Sequence, residues 1–178
     1  WENLYHGRLT IYISKLENGL WSEPVVIEKK EQSCFDPALA EAKNGDLYVA
    51  YGFNQGYHQN IEMAVLDGHS LQAKKIIPVA IGGGFKNRVN LNTKPAIMFD
   101  ALDRLWISYE NNRYSQRLED ADNYTGDRYC AILSYQNGKI VEIKSRGKWL
   151  FKGKNDHKPT FVKDNSGHLF LFTHCGGD

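Results

Sequence analysis

Asp36-Pro37-Ala38-Leu39-Ala40, followed after a short break by Gly45-Asp46-Leu47-Tyr48-Val49-Ala50-Tyr51, decides the fold, because the pattern recurs twice more. Lys94-Pro95-Ala96-Ile97-Met98 leads to Asp103-Arg104-Leu105-Trp106-Ile107-Ser108-Tyr109, and Lys158-Pro159-Thr160-Phe161-Val162 leads to Gly167-His168-Leu169-Phe170-Leu171-Phe172-Thr173. The three prolines lie 58 and 64 residues apart. A period of about 60 residues marks a chain assembled from one supersecondary unit repeated along its length.

Each copy continues in the same way. A stretch of period-2 alternation follows, Asn60 to Leu66 and then Arg128 to Tyr135, and each ends at Asp67-Gly68 or Asn137-Gly138. The start of the chain supplies the same element as Arg8 to Leu16, closed by Asn18-Gly19. Asn-Gly and Asp-Gly between alternating strands predict two-residue type I′ hairpins, whose central positions both need positive φ. A fourth strand is expected after each turn, at Trp21 to Ile27, Ala73 to Val79 and Lys139 to Lys144. Proline cannot donate to a ladder, so Pro37, Pro95 and Pro159 are placed at the first residue of a strand. No stretch shows the i, i+3, i+4, i+7 spacing of a helix.

The fold expected is all-β: a β-propeller of four-stranded antiparallel blades, radial repetition leaving only short edges. A β-sandwich gives no reason for turn and proline signals recurring in register at this period. The residues divide into a half blade over 1–30, whole blades over 34–80 and 92–146, and a half blade over 156–178. Those are about three blade-equivalents, fewer than close a propeller. Two readings follow: an arc of a longer propeller, or half of a closed dimer in which a second copy completes each split blade.

Lys and Arg number 22 against 21 Asp and Glu, so no strong field draws the chain to nucleic acid or an anionic membrane. No apolar run approaches the length of a membrane helix. Cys34, Cys130 and Cys175 have no metal-ligand spacing, and leave open one disulfide with a free thiol or three buried thiols. Gly82-Gly83-Gly84 has neither the helix context nor the Ser/Thr after Lys86 that a phosphate loop needs, and reads as a flexible turn. No cofactor and no metal are expected. Asn123-Tyr124-Thr125 matches a glycosylation sequon.

Trp21-Ser22-Glu23-Pro24-Val25-Val26-Ile27, with the Asp36-Pro37-Ala38 and Gly45-to-Tyr51 segments, resembles the repeats of sialidase-like (BNR-type) propellers of secreted bacterial proteins. The resemblance covers essentially the whole chain. It implies an extracellular or periplasmic scaffold used either by non-catalytic modules or by enzymes of glycans. Ser14 to Trp21 lacks the Asp of the sialidase Asp box, and no arginine triad is placed by motif. Asp156-His157, with Gly167-His168 and His174, is also reminiscent of lyase-type propellers.

A site is expected on the face shared by the longer loops, at 52–59, 80–94, 110–127 and 146–158, with 2–7, 28–35 and 174–178 beside them. The insertion from Glu110 to Arg128 carries Arg113, Arg117 and Arg128, which either clamp an acidic sugar bidentately or pair with Glu119, Asp120, Asp122 and Asp127. Histidines recur in corresponding loops, in Tyr5-His6, Tyr57-His58 and Thr173-His174. Catalytic candidates are therefore His58, His157, His174 and Tyr57; a histidine here would serve as general base or metal ligand, or brace the central channel through hydrogen bonds to backbone. Asp36, Lys94 and Lys158 enter their first strands at one place and should ring the channel mouth, as ligand contacts or mutual ion pairs. Two functions fit: a module binding glycan or a protein partner through this face, or a hydrolase or lyase acting on acidic polysaccharide.

Overall fold

The computed structural model describes residues 2–5, 8–27, 31–56, 58–81, 91–112, 129–142 and 156–175, of which 2–5, 112, 129, 142, 156, 157 and 175 are described by their backbone alone. The described chain is all-β. The opening strands are β1 (Glu2–Tyr5), β2 (Arg8–Ile13), β3 (Leu16–Glu17), β4 (Leu20–Trp21) and β5 (Val25–Val26). Two antiparallel meanders follow: β6 (Cys34–Glu41), β7 (Leu47–Gln55), β8 (His58–Leu66), β9 (Ala73–Ala80), then β10 (Leu91–Phe99), β11 (Leu105–Asn112), β12 (Tyr129–Gln136), β13 (Lys139–Glu142). A hairpin of β14 (Asp156–Lys163) and β15 (Leu169–Cys175) closes the described chain.

The strand alternation explains how the sheets stack. Val49, Tyr51 and Phe53 leave one face of β7 and pack with Ile11 and Ile27 of the opening strands. Ala50 leaves the other face, and packs with Ile61, Met63, Ile97, Leu105 and Ile107 between the two meanders. Tyr48 meets Phe99 of the next meander edge to face, with ring centroids 5.1 Å apart. A strand buried on both faces carries few polar residues, which accounts for the apolar run at 47–53.

Three hairpin turns repeat one hydrogen-bond pattern at one end of the sheets. Ala42, Asp100 and Asp164 each donate their N–H to the carbonyl four residues on, at 2.9, 3.0 and 3.1 Å. Positive φ falls at Gly45 (82°), Asp103 (60°) and Gly167 (85°). Lys43 ties adjacent turns together, its N–H on Asp103 Oδ1 at 3.1 Å and its Nζ on the Ala101 carbonyl at 2.8 Å. Lys163 Nζ reaches the Phe99 carbonyl at 3.2 Å across the following pair of sheets.

Three expectations are corrected. The prolines do not open their strands: Pro37, Pro95 and Pro159 lie inside β6, β10 and β14, at bulges where no ladder bond is required of them. Asn18-Gly19 and Asn137-Gly138 have positive φ at both residues as expected, but Asp67-Gly68 does not turn in two residues. Leu71 N–H bonds the Asp67 carbonyl at 2.8 Å, and the Asp67 carboxylate caps the loop by accepting from the His69 and Ser70 N–H groups. Gly68 is needed there for close approach, since a Cβ would lie 2.0 Å from the Gly45 carbonyl oxygen. The strand expected over Trp21–Ile27 is broken between Trp21, paired with Leu16, and Val25, paired with Ile13. Cys34 and Cys130 are buried; the Cys175 side chain, Gly82–Gly84 and the sequon lie outside the described residues.

Asp100 organises its turn. Its carboxylate accepts from the Leu102 and Arg104 N–H groups, from Arg104 Nε at 2.7 Å and from the Trp106 indole at 2.9 Å. Burial pushes its pKa up, but these donors outweigh burial and hold it at about 2, against 3.8 ordinarily. The folded-state value is lowered, so its contribution of about 2 kcal/mol is complete above pH about 4 and lost as pH falls toward about 2. Asp100→Asn should therefore lower stability at neutral pH and flatten the acid limb of the stability curve. Urea denaturation across that range checks it.

Candidate functional site

Antiparallel pairing sends the turns at 42–46, 67–72, 100–104, 137–138 and 164–168 to one end, and the long connections, with the tight β7–β8 turn, to the other. At the long-connection end, β6, β10 and β14 each break register once, between Phe35 and Ala38, Thr93 and Ala96, and His157 and Thr160. Each break holds a non-glycine residue at positive φ directly before proline: Asp36 (51°), Lys94 (49°) and Lys158 (49°). Proline crowds the residue before it away from helical backbone, and a left-handed non-glycine residue costs about 1–3 kcal/mol. The same strained step is thus built three times at one level of the fold. Strain of this kind persists only where the surroundings impose it.

The rungs beside the bulges carry the polar chemistry. Phe35 faces Gly52, Thr93 faces Glu110 and His157 faces His174 as cross-strand partners. One rung outward, Cys34 faces Phe53, Asn92 faces Asn111 and Asp156 faces Cys175. Glu110 is 3% exposed. Its carboxylate accepts from Lys94 Nζ at 3.1 Å on both oxygens, from Thr93 Oγ1 at 3.4 Å and from the Lys158 N–H at 2.6 Å. Asn92 and Asn111 are buried beside it, Asn111 Nδ2 donating to Asn92 Oδ1 and Asn92 Nδ2 to the Ala80 carbonyl. Asn111 Oδ1 and Ser108 Oγ have no partner among the described residues. Asn60 Nδ2 donates to Gln55 Oε1 at 2.9 Å, and Tyr51 OH donates to Glu62 at 3.4 Å.

The structure brings Asp36, Lys94 and Lys158 to equivalent positions, as expected from the repeat. Lys94 is ion-paired with Glu110 on its own meander, a residue the sequence reading left without a role. A signal for Glu110 existed: it is an acidic residue at the end of an apolar strand, where the other copies have Gly52 and His174. His58 lies in β8 rather than in a loop, paired with Gln55 across a tight turn, so the loop expected at 52–59 is mostly strand. His174 is exposed and is the cross-strand partner of His157, whose backbone alone is described. Tyr57, Arg113, Arg117 and Arg128 lie outside the described residues.

Chemically, this end offers carboxylates, an ammonium, amide groups and imidazoles within a few rungs. That set can hydrogen-bond hydroxyl groups and move protons. Among the described residues no three His, Cys, Asp or Glu are grouped to hold a metal. An apolar cleft of about 600 Å³ lies at the opposite end, between Trp106 and Ile132 on one sheet and Phe161, Leu169 and Leu171 on the next. Its polar groups are spent on each other, the Trp106 indole and Arg104 on Asp100, so it has little to offer a polar ligand.

No protein-family model matches the sequence, and no curated protein does. Solved structures do match. An endo-arabinase from Bacteroides thetaiotaomicron aligns with 98% of this chain at 14% identity and a TM-score of 0.57, the chain spanning 68% of it. A thermostable family-43 glycoside hydrolase aligns with 98% at 12% identity and a TM-score of 0.58, with 64% of it spanned. An α-L-arabinofuranosidase from Lactobacillus brevis aligns with 98% at 15% identity and a TM-score of 0.54, with 63% of it spanned. These neighbours are β-propellers, and the likeness shows that fold for this chain, over about two thirds of their length. The resemblance to sialidase-type repeats reduces, on these structures, to the propeller scaffold itself.

Lys94 is the ionic partner of a carboxylate that is otherwise shut off from water. Lys94→Met should destabilise the protein by about 2 kcal/mol at neutral pH, a value below that of fully buried pairs because the ammonium is partly solvated. Loss of less than about 0.5 kcal/mol by urea denaturation would show that the pair is an exposed contact of little weight.

Proposed function

We propose that this chain is a carbohydrate-active β-propeller that hydrolyses a glycan at the long-connection end of its sheets. In this reading each meander, 34–80 and 92–146, is a four-stranded blade, with half blades over 1–30 and 156–178. The observation that carries the proposal is the alignment of nearly the whole chain with propellers that are glycoside hydrolases. The polar rungs beside the bulges support it from the chain's own residues.

Cleavage of a glycosidic bond generally takes two carboxyl groups flanking it. Among the described residues Asp36 and Glu62 are partly buried carboxylates near this end, and His58, His157, His174 and Tyr57 remain candidates for proton transfer. Lys158, Arg113, Arg117 and Arg128 are proposed ligand contacts. Lys94 is different: its ammonium is already neutralised by Glu110, which removes it as a counter-ion for a uronate. The names of two solved neighbours, an endo-arabinase and an α-L-arabinofuranosidase, make an arabinose-containing polysaccharide the first substrate to test. The proposed setting is extracellular or periplasmic; among the described residues no helix is long and apolar enough to cross a membrane.

A non-catalytic module that binds glycan or a protein partner through the same face is the second reading. A second copy of the chain, or further blades, would be its structural partner. Incubation with debranched arabinan, xylan and polygalacturonate separates the two. Release of reducing ends from a neutral polysaccharide is expected, falling at least about 100-fold in Asp36→Asn. Retention on a polysaccharide without any release would contradict hydrolysis and favour the module.

A further inference from the structure

We infer that Glu110 is a positioning residue: delivered by one meander, its carboxylate fixes the strained backbone step at Lys158 in the next and with it the His157–His174 rung. The inference rests on the proposed glycan site. It adds a residue to which the sequence reading gave no role.

The repeat supplies an internal comparison. At the rung where Glu110 faces Thr93, the preceding meander has Gly52 facing Phe35. The Phe35 ring fills the space over Gly52, where a Cβ would stand 2.4 Å from it. A hydrocarbon plug therefore closes this level of the fold in one meander, and a carboxylate in the next. Burying a carboxylate is expensive where a phenyl ring would serve. The difference in what the two solutions accomplish lies in the third sheet. Glu110 Oε1 accepts the Lys158 N–H at 2.6 Å, 48 residues along the chain, and Lys158 has φ of +49°. Gly52 has no side chain to offer the corresponding N–H of Lys94.

Lys158 follows His157, whose cross-strand partner is His174. A charge-assisted hydrogen bond at the bulge pins the backbone on which that rung is set. Lys94 and Thr93 hold the other carboxylate oxygen, so Glu110 is itself fixed from its own sheet. A side chain held from one sheet and bonded to the backbone of the next transmits position between them.

The test compares wild type with Glu110→Gln and with Asp100→Asn, which removes a buried carboxylate at the opposite end of the sheets. In Glu110→Gln the Lys158 amide resonance should move upfield and exchange faster, and the His174 ring resonances should move with it. On debranched arabinan kcat should fall about 100-fold while KM changes less than about twofold. Asp100→Asn should lose stability with all of these unchanged. Should Glu110→Gln fail to fold, the double variant with Lys158→Gly is measured instead, because glycine takes positive φ without strain. The same His174 displacement is then expected. Lys158 and His174 resonances that stay in place in Glu110→Gln, or move equally in Asp100→Asn, overturn the inference. If wild type leaves arabinan, xylan and polygalacturonate all intact, the proposed hydrolysis fails, while the resonances still decide the role of Glu110.

Discussion

The structure depends on one constraint: the second strand of each meander must be covered on both faces. Ala50 and Tyr51 of β7, Leu105 and Ile107 of β11, and Ile61 and Met63 of the neighbouring β8 are each at most 1% exposed, so the sheets stack rather than face water. Each fully buried Ile, Leu or Met side chain contributes about 1.5–3 kcal/mol. Because successive side chains point to opposite faces, one strand such as β7 serves two interfaces at once. Equivalent strands of the stacked meanders run the same way, which gathers the long connections at one end, with only the tight β7–β8 turn among them. The location of a site follows from packing, before any site residue is considered.

At the turn end, polar groups are satisfied locally. Asp100, Asp67 and Asp164 each accept from the backbone of their own turns, and Lys43 and Lys163 stitch neighbouring turns together. At the opposite end the polar groups are buried, and two of them also reach a neighbouring meander or hairpin: Asn92 to the Ala80 carbonyl and Glu110 to the Lys158 N–H. Glu110 is the clearest instance, paired with a lysine on its own sheet and with a backbone N–H on the next. The bulges that place these groups cost backbone strain three times over. A fold that needed only to stack its sheets would gain nothing from them.

The architecture was legible because its signals are local and repeated. Alternation, Asn-Gly turns and a recurring proline each report on a few neighbouring residues, and recurrence in register adds their weight. Asp67-Gly68 misled because aspartate has two uses in a turn: it tolerates positive φ, and its carboxylate caps N–H groups. Here the second use won and lengthened the loop. The prolines misled for a related reason, since a missing N–H is harmless both at a strand's first residue and inside a bulge. Asp36, Lys94 and Lys158 were placed by repeat register alone. Glu110 escaped because its partner at Lys158 is a backbone group far along the chain, which no sequence pattern marks. Of the chemistry, the sequence carried the end of the fold where polar residues gather. The solved propellers add the scaffold, and glycan hydrolysis is the proposal built on it.

The most direct test of a glycan site at the long-connection end is to titrate the isotope-labelled protein with a linear arabino-oligosaccharide and map the amide resonances that move. The account predicts perturbations centred on the bulged rungs, at residues 35–36 and 52, 93–94 and 110, and 157–158 and 174. The turns at 42–46, 100–104 and 164–168 should stay silent. Perturbations confined to those turns or to the cleft beside Trp106 would contradict it.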